Sequence, residues 1–258
     1  MKLFNFHLPF FSKIIFVLAI LVVWETVARL GVFSSFVFPS ISSTMAYMLH
    51  NPEKMVMATW RTLKLLLIGL SISGAVTLTI GALAVGSKKL QSVVEVTISF
   101  LSPIPSISIL PFAILWFGLG ENPIIFITVF GASCPFLIHI LSAFTTINKK
   151  WIEVGRNYGL EGIQLVRYIM FPASLPHLLS GFRSAWGIAW RSVVAAELVF
   201  GAVGGKGGLG WLIYMNRFQL NAAGMLAALI CISLIGILAE NILGLIENRT
   251  VKKWGMKT

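Results

Sequence analysis

The sequence predicts an all-α membrane protein, and two observations lead to that fold class. Of the 258 residues, 57% are hydrophobic and 11% are charged, whereas an ordinary soluble domain carries about 25% charged residues. A soluble fold cannot cover so much apolar surface, and a disordered chain has far fewer apolar residues. The apolar residues also form long continuous runs, without the ten-residue alternation that is typical of membrane β-barrels.

Counting residues between charges locates six predicted spans. Uncharged runs of 23, 25, 27 and 22 residues occupy 65–87, 96–120, 122–148 and 218–239, and about 20 residues are enough for a helical crossing. Two less clean runs precede Arg29 and surround Arg191 and Glu197. We therefore expect one transmembrane domain over 1–258, with spans near 13–30, 63–86, 97–118, 123–147, 181–203 and 220–246.

The distribution of positive charge predicts the orientation of these spans. With the N-terminus in the cytoplasm, 13 of the 20 Lys and Arg residues fall on the inner side and 6 on the outer side, while Arg191 lies within a span. Because Lys and Arg favour the cytoplasmic side, both termini are predicted to be cytoplasmic. The net charge of +11 is scattered between apolar runs, which speaks against nucleic-acid binding, where cations cluster on one face.

The predicted loops differ in length. The first outer connection, near 31–60, is long, and the inner loop near 88–95 is short. The inner loop 148–180 is the longest polar stretch. It suits a short helix over 149–158 that turns at Gly159, and a second over 162–170 that ends before Pro172. From the residues alone, a docking element and a merely ordered loop remain equally open.

Small residues recur every fourth position in two spans, which predicts close helix packing in the membrane. The two stripes are Gly69, Ser73, Thr77 and Gly81 in the second span, and Gly181, Ala185, Ala189, Val193, Glu197 and Gly201 in the fifth. For the second span, we expect packing to be the whole explanation.

The nucleotide-binding motifs lead to a negative prediction. Residues 205–210 match G-x-G-x-x-G, but they join two predicted membrane helices instead of a strand and a helix, so we interpret them as a flexible turn. The sequence contains no G-x-x-x-x-G-K-[ST] segment, so any ATP would have to be bound by another subunit. The His and Glu residues form no catalytic or metal-binding pattern. We expect no catalytic residue, metal site or enzyme activity in this chain.

The long inner loop resembles the signature loop of ABC importer permeases, E-A-A-x3-G-x9-I-x-L-P. The matching residues are Glu153, then Val154 and Gly155 in place of two alanines, Gly159, Ile169, Phe171 in place of leucine, and Pro172. Every fixed position has the spacing of the family. Other segments are similar to nitrate, sulfonate and taurine importer permeases, among them 24–25, 38–40, 115–118 and 195–198.

The resemblance implies a type I ABC importer permease-like fold in a bacterial cytoplasmic (inner) membrane. It also implies a homodimer, two copies of an ATP-binding subunit that hold ATP and Mg, and an extracytoplasmic solute-binding protein. The residues implied to couple to the ATPase are Glu153, Gly155, Gly159, Leu160, Ile169 and Pro172. The implied solute is a small anion such as a sulfonate, taurine or nitrate.

Two alternatives remain open. One is the same family with a different small solute, such as a vitamin precursor. The other is a secondary transporter driven by an ion gradient, which would show inverted repeats and spans broken at the midplane. The sequence shows no convincing inverted repeat, although Pro103, Pro105 and Pro111 interrupt the third span.

Two charges inside the fifth span are the candidate solute-pathway residues. A charge near the centre of a span costs about 2.5–3.5 kcal/mol on insertion scales, so it faces protein or water. Glu197 continues a small-residue stripe, which predicts that it faces a neighbouring helix. Arg191 lies about 240° around the same helix and cannot pair with Glu197. For each residue, a place on the solute pathway and a structural bond to a neighbouring helix are both open. Glu240, between Gly236 and Gly244, is interpreted as structural.

Overall fold

The computed structural model describes residues 10–200 and 207–253, and in them the side chains of residues 15–199 and 207–250. These ranges are helical and contain no strand, which confirms the all-α prediction. The α-helices are α1 (Phe10–Arg29), α2 (Ile41–His50), α3 (Pro52–Val85), α4 (Lys88–Leu101), α5 (Leu110–Phe117), α6 (Glu121–Thr145), α7 (Lys149–Asn157), α8 (Gly162–Leu165), α9 (Phe171–Phe200), α10 (Leu209–Phe218) and α11 (Ala222–Lys253).

Helix α6 lies at the centre of the bundle, between α3 and α9. The small-residue stripe of α3 faces it, as the spacing predicts. A Cβ atom on Gly69 would lie 2.6 Å from the Thr128 side chain, and Ser73 shares a 3.1 Å hydroxyl hydrogen bond with Ser133. Glycine and serine therefore let the two backbones approach closely.

The stripe of α9 packs in the same way. Gly181 lies so close to His139 of α6 that any side chain there would overlap it. Ala185, Ala189 and Val193 are buried. Gly201, the next residue of the stripe, lies outside the described residues. The packing interpretation of both stripes is supported wherever the structure describes them.

The first outer connection is more structured than predicted. Residues 41–50 form α2, and α3 begins at Pro52 instead of near 63. Two caps explain the start of α2: the Ser40 side chain accepts a hydrogen bond from Ser43 N–H, and Glu25 of α1 accepts one of 2.8 Å from Ile41 N–H. Pro52 at the first turn of α3 needs no hydrogen-bond acceptor for its nitrogen.

The third span, predicted near 97–118, is broken into two helices with a sharp bend between them. Helix α4 begins at Lys88, so the predicted loop 88–95 is helical, and it ends at Leu101. A 3-10 turn, Ser106–Ile109, and α5 follow after a bend of 87°. Pro103 and Pro105 lie in the break, where a proline can neither donate an N–H nor continue the helix.

The second half of the inner loop also differs from the prediction. Helix α8 leads through a π-helical turn, Val166–Met170, directly into α9, so the helix does not end before Pro172. In the π-helical turn, Phe171 N–H donates to Val166 O. This change of hydrogen-bond register accommodates a proline that has no N–H of its own.

Three helices in the described ranges are long and apolar enough to cross a membrane: Pro52–Val85, Glu121–Thr145 and Ala222–Thr250. A fourth crossing results if α4 and the bent segment after it count as one broken span. Helices α1 and α9 stand at the predicted first and fifth spans but are not among these helices. The six-span count stays a prediction.

Candidate functional site

Two groups of predicted site residues lie in different parts of the fold. One group surrounds α7 and the turn that follows it. The other consists of the two charged residues of α9 and the side chains that face them. The structure allows each group to be built up from its hydrogen bonds and packing.

Helix α7 matches the predicted first helix of the inner loop, and both of its ends are capped. The Asn148 side chain accepts a hydrogen bond from Lys150 N–H at 3.0 Å. At the other end Gly159 has φ +74, its N–H donates to Arg156 O, and Leu160 N–H donates to Gly155 O. These two bonds form a Schellman motif, which requires a left-handed residue. The predicted role of Gly159 in the turn is confirmed.

Gly155 explains why a very small residue occupies this helix. It is buried, and a Cβ atom there would lie 2.7 Å from Leu165 and 2.9 Å from Ile169. The chain therefore folds back so that the π-helical turn packs directly on α7. Gly155, Ile169 and the turn at Gly159 thus form one local unit, which Pro172 follows in the first turn of α9.

The outward face of this unit is apolar. Trp151, Val154 and Tyr158 are 47%, 50% and 83% exposed, and their spacing of three and four residues places them on one side of α7. Glu153 is exposed beside them, and Leu160 is half-buried. An exposed apolar face rimmed by a carboxylate and basic side chains has the composition of a protein contact surface.

Glu197 is enclosed in a hydrogen-bond network between α3, α9 and α10. It is 1% exposed. Its carboxylate accepts hydrogen bonds from Thr62 Oγ1 at 2.8 Å and from Gly210 N–H at 3.0 Å. Thr62 Oγ1 in turn accepts one from Leu209 N–H at 2.8 Å. The side chain faces neighbouring helices, as its place on the stripe predicts.

Glycines make this network possible. A Cβ atom on Gly208 would overlap both the Glu197 carboxylate and Thr62 Oγ1, and one on Gly210 would overlap Val194 O. The prediction of a flexible turn at 205–210 is therefore wrong for its described part, 207–210, which is tightly packed at the start of α10. Residues 205 and 206 lie outside the described residues.

Arg191 lies on a different face of α9 and lines a cavity of about 440 Å³. Its Nε donates to Gly187 O at 3.0 Å, and the side chain is exposed. None of the described carboxylates forms an ion pair with it, and Glu197 faces elsewhere. The prediction that the two charges do not pair is thus confirmed by their positions.

The same cavity is lined by the break in the third span. Pro105 and Ser106 belong to that break, and Cys134 and Pro135 of α6 lie on another side. Ser106 and Ser192 share a 2.7 Å hydroxyl hydrogen bond, which ties the 3-10 turn to α9. At membrane depth, irregular backbone is tolerated where it is buried in protein or lines a water-filled cavity. The bend, the cavity and the cation therefore form one site.

A third charged cluster joins α9 to α11. Arg183 forms ion pairs of 2.8 Å with Glu240 and 3.3 Å with Glu247, and Ser180 Oγ donates to Glu247 at 2.8 Å. The interpretation of Glu240 as structural agrees with these bonds. The partners of Arg183 were not foreseen, because 57 or more residues separate them in the chain.

Comparison with solved structures establishes the fold class. The chain superimposes on the MetNI methionine ABC transporter in an inward-facing conformation with a TM-score of 0.65 at 21% identity, covering 76% of this chain and 95% of that one. A second match is an amino acid ABC transporter, with a TM-score of 0.61 at 16% identity, covering 79% and 97%. The fold is that of a type I ABC importer permease.

Sequence comparison then gives the family. The model for the binding-protein-dependent transport system inner membrane component matches residues 75–252. The chain belongs to this family, whose members are transport permeases and not enzymes. It is 30% identical over 235 residues to a protein provisionally named as an ABC transporter permease of Methanocaldococcus jannaschii, covering 88% of this chain and 86% of that protein. It is 28% identical over 228 residues to the taurine transport system permease protein TauC of Escherichia coli K12, covering 86% and 82%.

Proposed function

We propose that this ABC importer permease forms the pathway for a small organic or inorganic anion of the sulfonate, taurine or nitrate kind, with Arg191 as a pathway cation. The observation that carries this proposal is the shared cavity of Arg191 and the break in the third span. The exposed guanidinium forms no ion pair with a described carboxylate, although Glu240 Oε1 and an Arg191 terminal nitrogen both lie within 4 Å of the Cβ position of Gly187. Its planar donors suit an oxyanion. Relatives named for taurine and aliphatic sulfonate transport support the same solute class.

Glu197 has a different proposed role. Its carboxylate is 1% exposed and accepts hydrogen bonds from α3 and α10, so protein encloses it and keeps a solute away. Of the two roles open from the sequence, we therefore propose the structural one for Glu197. It holds the start of α10 against α3.

The unit around α7 is proposed to dock on a separate ATPase subunit. Its exposed apolar face offers Trp151, Val154 and Tyr158 to a cleft, while Glu153 supplies a polar contact at the edge. Gly155, Gly159, Leu160, Ile169 and Pro172 act through the shape of the unit: they hold α7 at a set angle to α9. Motion of the ATPase would then move α9, which carries Arg191.

The proposed complex contains two copies of this permease, two ATP-binding subunits that hold ATP and Mg, and an extracytoplasmic solute-binding protein. It lies in the bacterial cytoplasmic membrane with both termini of this chain in the cytoplasm. Family membership supports the kinds of partner. The copy numbers and the orientation rest on the resemblance of the loop and on the distribution of Lys and Arg.

An ion-gradient-driven transporter is the competing proposal that one observation favours, since the third span is indeed broken. The family match weighs against it, and the sequence shows no convincing inverted repeat. A vitamin-precursor solute differs only in what the cavity would accept, and the cation at Arg191 favours an anion over a neutral precursor.

Reconstitution tests the proposed function. The permease is placed in liposomes with its ATPase and binding protein, and uptake of radiolabelled taurine and of nitrate is measured with and without internal ATP. We expect uptake that requires both partners and ATP and is unaffected by collapse of proton and sodium gradients. Uptake by the permease alone, or uptake that follows an ion gradient, would show that the proposal is wrong.

A further inference from the structure

A second cavity lies between α2, α3 and α10, and it shares no lining residue with the cavity of Arg191. Its volume is about 340 Å³, which falls in the range of roughly 300–1,000 Å³ that is usual for small-molecule sites. The first proposed site therefore does not account for it.

The walls of this cavity come from the faces of two helices. Lys54, Met57 and Arg61 follow one another at three- and four-residue spacing on α3, and Trp211 and Met215 face them from α10. Residues at this spacing lie on one side of a helix. Tyr47 of α2 closes a third side.

The chemistry of the lining is that of an anion site with apolar walls. Lys54 and Arg61 supply two positive charges, and none of the residues that line the cavity is acidic. Ammonium and guanidinium groups form strong charge-assisted hydrogen bonds with oxyanions. The indole ring and two methionine side chains offer a polarisable surface for carbon. An inorganic ion would leave that surface unused, so an organic anion fits better.

The site stands on a rigid support. Two lining residues, Gly207 and Arg61, are next in the chain to residues of the hydrogen-bond network around Glu197. These neighbours are Gly208, which packs against the Glu197 carboxylate, and Thr62, which donates a hydrogen bond to it. The network thus holds both helices that carry the cavity at a set distance. A preorganised site loses less entropy when a ligand binds.

We propose that this cavity is a second binding site for a small organic oxyanion, such as a short alkanesulfonate, separate from the cavity of Arg191. In the predicted orientation Lys54 and Arg61 lie on the outer side, so the site would receive solute before it enters the pathway. The inference that the site receives solute before the pathway does rests on the proposed function. The inference that the cavity binds an organic oxyanion does not rest on it.

Calorimetric titration of the assembled complex with butane-1-sulfonate tests the proposal. The complex of permease and ATPase, without the solute-binding protein, is held in nanodiscs of zwitterionic lipid. It carries Arg191→Gln, so that the first cavity does not contribute. We expect saturable binding that Lys54→Gln weakens about tenfold or more, because one charge-assisted contact is lost. Uncharged butane-1-sulfonamide should bind at least tenfold more weakly than the sulfonate.

Lys64→Gln is the matched control. It removes the same charge from the same helix, but Lys64 pairs with Glu121 outside the cavity, so sulfonate binding should stay within twofold. Equal affinity in Lys54→Gln and Lys64→Gln would overturn the proposal. So would loss of sulfonate binding in nanodiscs that contain phosphatidylglycerol, since a lipid headgroup would then be the occupant. Because every arm is read as binding in the absence of transport, failure of the pathway proposal leaves this result interpretable.

Discussion

Arg191 and Glu197 lie six residues apart on α9, yet their surroundings are opposite. Glu197 is 1% exposed and accepts hydrogen bonds from α3 and α10. Arg191 is exposed to a cavity and bonds only to its own helix among the described hydrogen bonds. A charge inside a predicted span is therefore not evidence of function by itself. Its hydrogen-bond partners separate a structural charge from one that can meet a solute.

The largest effect is expected where the buried charge is removed. Glu197→Ala leaves the Thr62 hydroxyl and Gly210 N–H without their acceptor, which costs about 2–4 kcal/mol. The thermal midpoint of the complex in nanodiscs should fall clearly, and uptake should fall with it. Glu197→Gln keeps an acceptor in place and should retain most of the stability. If Glu197→Ala lost uptake at an unchanged midpoint, Glu197 would belong with the pathway residues.

Gly208→Ala tests the structural role of the Glu197 network without removing any charge. The added methyl group would overlap Glu197 and Thr62, and overpacking of this kind costs about 1–3 kcal/mol. The midpoint should fall by less than in Glu197→Ala. Gly74→Ala is the control, because nothing lies within 4 Å of a Cβ atom at that position of α3. Equal midpoints for the two variants would mean that the start of α10 is not held by this network.

Arg191→Gln tests the proposed role of Arg191 on the solute pathway. We expect the rate of sulfonate uptake to fall about tenfold, the equivalent of one charge-assisted contact of roughly 1.4 kcal/mol. The thermal midpoint should not change, since the side chain forms no described bond to another helix. Arg191→Lys should recover part of the rate because the charge remains. A drop in midpoint comparable to that of Glu197→Ala would remove the distinction between the two residues.

The smallest expected effect concerns the link between α9 and the ATPase. Gly159→Ala forces a side chain into the left-handed region at a cost of about 1–2 kcal/mol, which loosens the turn after α7. Uptake per ATP hydrolysed should fall severalfold while solute binding is kept. Gly31→Ala carries the same strain, at φ +68 with nothing within 4 Å, but lies far from α7 in the chain. If the two variants show the same uptake per ATP hydrolysed, the proposed coupling role of the turn at Gly159 is wrong.

Periodicity and spacing predicted much of the fold. Uncharged runs located α3, α6 and α11, and four-residue stripes identified the faces that pack on α6, because such packing is local to one helix face. The start of α7 and the turn at Gly159 followed from capping rules that act within a few residues. The signature spacing from Glu153 to Pro172 pointed to the family that the comparisons show.

The parts that sequence reasoning missed depend on contacts between distant residues. The partner of Glu197 at Thr62 lies 135 positions away, and only the packed bundle brings them together. The glycines at 208 and 210 were visible, but a glycine needed for close contact looks like one needed for flexibility. Pro103, Pro105 and Pro111 indicated that the third span is interrupted, but a long apolar run does not predict the size of the bend after Leu101. The direction of α5 after the bend depends on its packing against α6, which the sequence of the span does not contain.

Alkylation of Cys134 tests the central claim most directly, because this native thiol lines the same cavity as Arg191. In a Cys231→Ser background, the rate of reaction with a thiol reagent is measured on the assembled complex with and without butane-1-sulfonate. We predict that the sulfonate slows the reaction, that Arg191→Gln abolishes this protection and that Lys54→Gln within the second cavity leaves protection at saturating sulfonate intact. Protection that persists in Arg191→Gln, or its absence in the chain with Arg191, would contradict the account.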